Sequence, residues 1–198
     1  MELILASGNK HKLREIDAIL HSVRVIAPVD IGVTFAFEET GDTFFANAIG
    51  KALHLNRITR RPVLADDSGL SVQSLEGAPG VRSARFGDTA DGRHLDDRER
   101  YELLLETLEG ENNREAAFVC CMVVLAGPDQ FLAAQESCEG VITTHPEGEG
   151  GFGYDPIFRP SGFDLTMAEL SSETKNKISH RARALMVLSK AIGPFLEP

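Results

Sequence analysis

The 198-residue chain is 42% apolar and 25% charged with no long polar tract, a composition that excludes a disordered protein and fits one globular unit with a sizeable core. Its formal charge of -10 argues against a nucleic-acid polymer or an anionic membrane as the main partner, because both select a basic face. A small anion stays open, since it needs only a local cation cluster and a metal ion, and Lys10, Lys12 and Arg14 lie close together.

Leu3 to Ala6 read as a buried first strand, after which "SGNKHKLREIDAILHS" changes to helical spacing with Leu13, Ile16, Ile19 and Leu20 on one face. Ser7, Gly8 and Asn9 sit at the handover. Backbone N–H groups and the positive end of a helix suit an anion there, and Gly8 permits close approach, although the same residue types are ordinary caps. The GxxxxGK[ST] spacing of a Walker loop is absent. A second strand is expected over 23–28 and an irregular extension over 28–37. Residues 41–56 form the clearest helix, with Phe44, Phe45, Ala48, Ile49, Ala52, Leu53 and Leu55 on a broad apolar face and Asp42 or Thr43 as its cap. Thr43, Asn47 and Lys51 recur at every fourth position, a polar stripe that a solvated face explains as well as a site does.

Pro62 to Ala65 make a short strand and "LSVQSL" (70–75) a second, half-buried one, followed by an "EGAPG" turn. Two like charges, Asp66 and Asp67, stand between them at the expected strand end. With Glu39 they suggest hard oxygen ligands for Mg²⁺, which is commonly held by one or two carboxylates plus substrate phosphates; a solvated pair or an Asx turn with Ser68 and Gly69 is the plainer alternative. Neighbouring side chains of a strand point to opposite sides, so one aspartate is expected to be chemical and the other structural.

Leu95 to Leu108 read as a helix with Tyr101, Leu104, Leu105 and Leu108 at core spacing, and "AAFVCCMVVLA", "GPDQ" and "FLAAQESCEG" as a hairpin of long strands. "GEGGFG" (148–153) matches GxGxxG but runs into "YDPIF", whose Asp155-Pro156 step favours a turn, so a dinucleotide fold is rejected. The glycines leave an open backbone beside Phe152 and Tyr154, where a flat ring could stack or the two rings simply pack. Ser179 caps a last helix expected to run to about Ile192. Cys120, Cys121 and Cys138 are odd in number and form no CxxC, which reads as reduced thiols filling apolar space. Residues 1–7 are too short for a signal-sequence apolar region, and no apolar run reaches membrane length, so cytoplasm is the expected location. Early alternation and a later hairpin predict an α/β fold, a mixed sheet flanked by helices, in a single domain over 1–198.

The blocks "SGNKHKLREI", "EETGDTFFANAIGKA", "LADDSGLSVQSLEGAPGVRSARF", "GGFGYDPIF" and "KNKISHRARAL", in that order, closely resemble the inosine triphosphate pyrophosphatase family, also called Ham1-like or non-canonical purine NTP pyrophosphatases. They run from Ser7 to Leu185. The resemblance implies hydrolysis of ITP, dITP and XTP to the monophosphate and pyrophosphate, with Mg²⁺, by a homodimer of elongated subunits whose substrate sits in a central cleft between two lobes. It makes Asp67 the general base and a metal ligand, and Glu39 its partner at the metal. Ser7, Gly8, Asn9, Lys12, Lys51 and Lys175 become triphosphate contacts, with Lys10 and His11 in the same substrate-binding block, and Ser68 a further substrate contact. Phe152, Gly153, Tyr154, Asp155, His180 and Arg181 become the part that reads base and sugar. Family members often carry an acidic residue where this chain has Gln73. The alternatives are a Maf-like pyrophosphatase for pyrimidine or modified triphosphates, and a non-catalytic nucleotide sensor.

Overall fold

The computed structural model describes residues 2–21, 23–89 and 91–197. A single six-stranded sheet has the order β2-β1-β3-β4-β5-β6. Its strands are β1 (Glu2–Leu5), β2 (Arg24–Ile26), β3 (Val63–Val72), β4 (Glu115–Gly127), β5 (Gln130–Ile142) and β6 (Phe158–Pro160). β1 runs parallel to β2 and β3, with Leu3 opposite Val25 and Leu5 opposite Leu64, whereas β5 and β6 are antiparallel, with Val141 opposite Arg159. The sheet is therefore mixed, as the element pattern predicts. The helices are α1 (Lys10–Ile19), α2 (Phe44–Thr59), α3 (Asp97–Thr107), α4 (Ser172–Ile178) and α5 (His180–Leu196).

The chain divides into two compact units, one of Met1–Ser68, Cys120–Glu136 and Asn176–Pro198, the other of Gly69–Val119 and Ser137–Lys175. In the first unit the period-two alternation of the strands sorts side chains into two apolar clusters. Leu3, Leu5, Leu64, Cys120, Met122 and Val124 pack with Ile16 and Leu20 from the α1 region and Ala184, Leu185 and Leu188 of α5. Ile4, Ala6, Val63, Ala65, Cys121, Val123 and Leu125 pack with Ala48, Ala52 and Leu55 of α2. This sorting decides where the next two residues of β3 must point: Asp66 continues the α1 and α5 face, and Asp67 the α2 face.

In the second unit α3 is held by a capping box, in which Asp96 accepts from the Glu99 N–H at 2.8 Å while the Glu99 side chain accepts from the Asp96 N–H at 3.0 Å. Phe118 and Phe158 pack in a tilted arrangement, 4.5 Å between ring centroids and 57° between planes, in the same unit.

Several boundaries differ from the sequence expectation. The two short strands expected over 62–65 and 70–75 are one continuous strand, Val63–Val72, so the aspartates lie inside a strand and not at its end. Polar "DDSG" imitates a turn, but both carboxylates find buried partners, Asp66 in Lys12 and Arg181 and Asp67 in Lys51 and Asn47, and the backbone stays extended. Gln73 falls in a short 3-10 turn, Gln73–Leu75, rather than on the strand. Helix α4 is an addition, its first turn held by Ser171 Oγ accepting from the Thr174 N–H at 3.2 Å. Helix α5 continues past Ile192 through Pro194, and the Glu197 N–H still closes its last turn on the Gly193 carbonyl at 3.2 Å.

Candidate active site

Five elements of the first unit bring charged side chains together. At the end of β1, Ser7 Oγ accepts the Asn9 N–H at 3.1 Å, and Asn9 Oδ1 caps α1 by accepting from the N–H groups of His11 at 2.8 Å and Lys12 at 3.3 Å. Lys12 then reaches Asp66 at 2.7 Å. From α5, Arg181 pairs with Glu15 of α1 and lies 3.4 Å from both Asp66 and Ser68 Oγ. Ser68 Oγ also donates to Asp66 at 2.9 Å. Asp66 and Arg181 are 0% and 1% exposed, so this is a buried ionic chain and not a surface pair.

Asp67 has different company. Lys51 of α2 donates to Asp67 Oδ1 at 2.9 Å and to Glu39 Oε1 at 2.7 Å, and Asn47, one turn earlier, donates to Asp67 Oδ2 at 3.1 Å. Of the polar stripe, Asn47 and Lys51 are thus buried, because amide and ammonium meet carboxylates rather than water, while Thr43 at the cap is exposed.

The electrostatics separate the two aspartates further. Burial acts to raise the Asp66 pKa, but Lys12, Arg181 and Lys51 outweigh it and hold the carboxyl far below the usual carboxylate range. Asp67 moves the other way: burial, reinforced by Glu39, raises it despite Lys51 and Asn47. Burial opposes the charge on Lys51, yet Asp66, Asp67 and Glu39 together raise its pKa and keep it an ammonium. Two carboxylates therefore share one ammonium at Lys51, with net negative charge left over. Among the described residues no group of three or more His, Cys, Asp or Glu is placed to hold a metal by protein ligands alone. Glu39 and Asp67, two converging carboxylates with charge to spare, are the residues that would hold a hard cation such as Mg²⁺.

The second unit carries its own ordered cluster. Asp155 Oδ2 accepts from the Phe152 N–H at 2.9 Å and from Lys175 at 2.6 Å, and the same ammonium lies 5.0 Å over the Phe152 ring. Gly151, at φ 74°, makes this possible, since a Cβ there would fall 2.0 Å from Asp155 Oδ2. Gly153 N–H donates to Asp97 at 2.8 Å, and the Tyr154 hydroxyl donates to the Ser83 carbonyl at 2.9 Å.

A family model described as the Ham1 family matches residues 3–191. The chain belongs to the Ham1 family. It is 50% identical to a dITP/XTP pyrophosphatase of Treponema denticola over 192 residues, 97% of this chain and 98% of that protein. A dITP/XTP pyrophosphatase of Escherichia coli strain K12 is 44% identical, with 96% of this chain and 98% of that protein covered. Among solved structures, a HAM1 protein from Coxiella burnetii aligns with a TM-score of 0.87 at 40% identity, covering 98% of this chain and 99% of that one.

In this Ham1-family chain the first unit gathers Lys12, Glu39, Lys51, Asp67, Ser68 and Arg181, and places Ser7, Gly8 and Asn9 at the start of α1. Lys10 and His11 are exposed on its first turn. Two of the backbone donors considered for an anion in that turn, those of His11 and Lys12, are engaged by Asn9. Arg181, expected to help read base and sugar, pairs with Asp66 and Glu15 in the first unit. His180 is buried at the first position of α5. The backbone donors of Phe152 and Gly153 are likewise engaged, and Tyr154 is buried with its hydroxyl bonded, so of the two aromatics Phe152 is the half-buried ring. Sequence reasoning missed Glu15 as the partner of Arg181 and left Asn47 ambiguous. The fourfold spacing of Asn47 and Lys51 was the available signal for the second; none existed for the first. Gln73 is exposed, its side-chain oxygen accepting from Asn113 at 2.8 Å in the second unit.

Proposed function

We propose that this protein hydrolyses the non-canonical purine triphosphates ITP, dITP and XTP to the nucleoside monophosphate and pyrophosphate. The observation that carries the reading is the convergence of Glu39 and Asp67 on Lys51, in a chain 50% identical to a dITP/XTP pyrophosphatase. Water attacks the α-phosphorus, the bond to the bridging oxygen breaks, pyrophosphate leaves, and Asp67 takes the proton. Its pKa, raised by burial and by Glu39, makes Asp67 a better base than a solvated carboxylate. Mg²⁺, held by Glu39 and Asp67 with phosphate oxygens, would neutralise the triphosphate and acidify the attacking water. Lys51 holds both carboxylates in place, and Asp66 anchors Lys12 beside the Asn9 cap of α1.

Hypoxanthine and xanthine present an acceptor at C6 where adenine presents a donor, so donors at that edge favour the former; His180, Arg181 or nearby backbone N–H groups would supply them. A buried polar mismatch discriminates by about 10⁴ to 10⁵. The reading includes a homodimer in the cytoplasm, and among the described residues no helix is long and apolar enough to cross a membrane.

The test is a nucleotide panel with Mg²⁺, followed by both pyrophosphate release and monophosphate formation. ITP, dITP and XTP should turn over far faster than ATP or GTP, and chelation with EDTA should stop the reaction until Mg²⁺ is restored. Equal turnover of all purines refutes the specificity; orthophosphate as product refutes the bond assignment.

A further inference from the structure

We propose that Asn47 is a positioning residue for the hydrolytic site, a single amide that sets the direction of the Asp67 carboxylate and ties the Glu39 segment to the same turn of α2. The proposal rests on the hydrolytic reading of Glu39 and Asp67 given above. Asn47 Nδ2 donates to Asp67 Oδ2 at 3.1 Å, and Asn47 Oδ1 accepts from the Gly41 N–H at 2.8 Å. The amide orientation is dictated by its neighbours: a backbone N–H only donates and an ionised carboxylate only accepts. Asn47 is 1% exposed, so loss of either bond leaves a polar group without water to replace it.

Two consequences follow from the geometry. First, Lys51 holds Asp67 Oδ1 while Asn47 holds Oδ2, so both carboxylate oxygens are gripped from one helix, one turn apart, and the plane of the carboxylate is fixed. Second, Gly41 stands two residues after Glu39, so the amide that aims one carboxylate also pins the segment bearing the other. The approach is close. A Cβ at position 41 would lie 2.8 Å from Asn47 Oδ1 and 2.9 Å from the Ala46 Cβ, which makes glycine a requirement of the contact. A small hard cation tolerates little misplacement of its ligands, and groups that orient ligands typically contribute about 10- to 100-fold in metal affinity or activity.

The experiment compares wild type, Asn47→Leu and Gly41→Ala. Circular dichroism and melting establish that each variant is folded. Manganese(II) alone is titrated into each protein and followed by the electron paramagnetic resonance of the free ion. Steady-state kinetics on ITP are measured as a function of Mg²⁺. Asn47→Leu should weaken Mn²⁺ binding and raise the Mg²⁺ half-saturation by roughly 10- to 100-fold. It should lower kcat over the same range while KM for ITP stays within about threefold. Gly41→Ala should shift metal binding in the same direction. A folded Asn47→Leu protein with wild-type metal affinity and kcat overturns the proposal. If that variant does not fold, Gly41→Ala decides by the same readouts; if both fail to fold, Asn47 is a folding determinant and the proposal falls. Wild-type protein inactive on ITP, dITP and XTP would refute the hydrolytic reading, while the Mn²⁺ titrations would still report whether Asn47 positions the two carboxylates.

Discussion

At the residue scale, Asp66 and Asp67 are chemically identical neighbours that the fold assigns to opposite tasks. Asp66 is sealed among Lys12, Arg181 and Ser68, whereas Asp67 meets Lys51 and Asn47 and shares its ammonium with Glu39. Asp67→Asn should abolish turnover of ITP while the circular-dichroism spectrum and melting stay close to wild type; an active variant would remove Asp67 from the role of base. Asp66→Asn should act on stability instead. It leaves Arg181 and Lys12 facing a neutral side chain, and breaking a buried pair costs about 3–5 kcal/mol, measurable by urea unfolding. The pH dependence follows from the depressed pKa. The unfolded carboxyl titrates near 3.8 and the folded one far lower, so the stabilisation is present above that value and is lost as pH falls through and below it. The stability gap between wild type and Asp66→Asn should therefore shrink steadily as pH is lowered from about 5 towards 3. A gap that does not change over this range would contradict the buried-pair account.

At the scale of elements, β3 and α2 build the candidate site between them. β3 supplies both aspartates because an extended strand alternates faces, and α2 supplies Asn47 and Lys51 because residues four apart share a helix face. The start of α2 is fixed by Thr43, whose Oγ1 accepts from the Ala46 N–H at 3.0 Å. Thr43→Ala should cost about 1 kcal/mol, lowering the melting temperature by about 2–4 °C for a chain of this size. A melting curve unchanged from wild type would show that the cap carries no net stability. The apolar spacing of α2 was readable, and the helix came out only three residues displaced, Phe44–Thr59 against 41–56. β3 was not readable as one strand, because the signal that breaks it in the sequence, two carboxylates before Ser-Gly, is cancelled by partners that lie far away along the chain.

At the scale of the whole molecule, the three thiols report on how the core is closed. Cys120, Cys121 and Cys138 form no disulfide and are buried. Burial, helped by the neighbouring aspartates, pushes the Cys120 thiol up to about 12 and the Cys121 thiol up to about 11. A thiol reagent that needs the thiolate should therefore label the native protein at these two positions only on the timescale of unfolding, and all three cysteines at once in denaturant. Rapid native labelling at Cys120 or Cys121 would contradict the packing. The same shift has a sign for stability: the unfolded thiols ionise near 9.0 and the folded ones higher, so their contribution is intact below that value and is lost as pH rises through 11 to 12.

Local chemistry was enough to determine most of the elements, though not the continuity of β3 or helix α4, together with the reduced cysteines, the mixed sheet and the family, because each is written in spacings of a few residues or in ordered blocks. The same spacing rule anticipated that Asp66 and Asp67 would diverge. It did not say which partners each would meet. Arg181 finds Glu15 at a separation of 166 residues and Asp66 at 115, and Asn47 finds Asp67 at 20. Such pairings depend on how helices lie across a sheet, and no local pattern encodes them. Tertiary structure therefore decided which charges are buried, which carboxylate is neutralised and which is left to share an ammonium, since burial and proximity, the two terms that set those outcomes, exist only once the chain is folded.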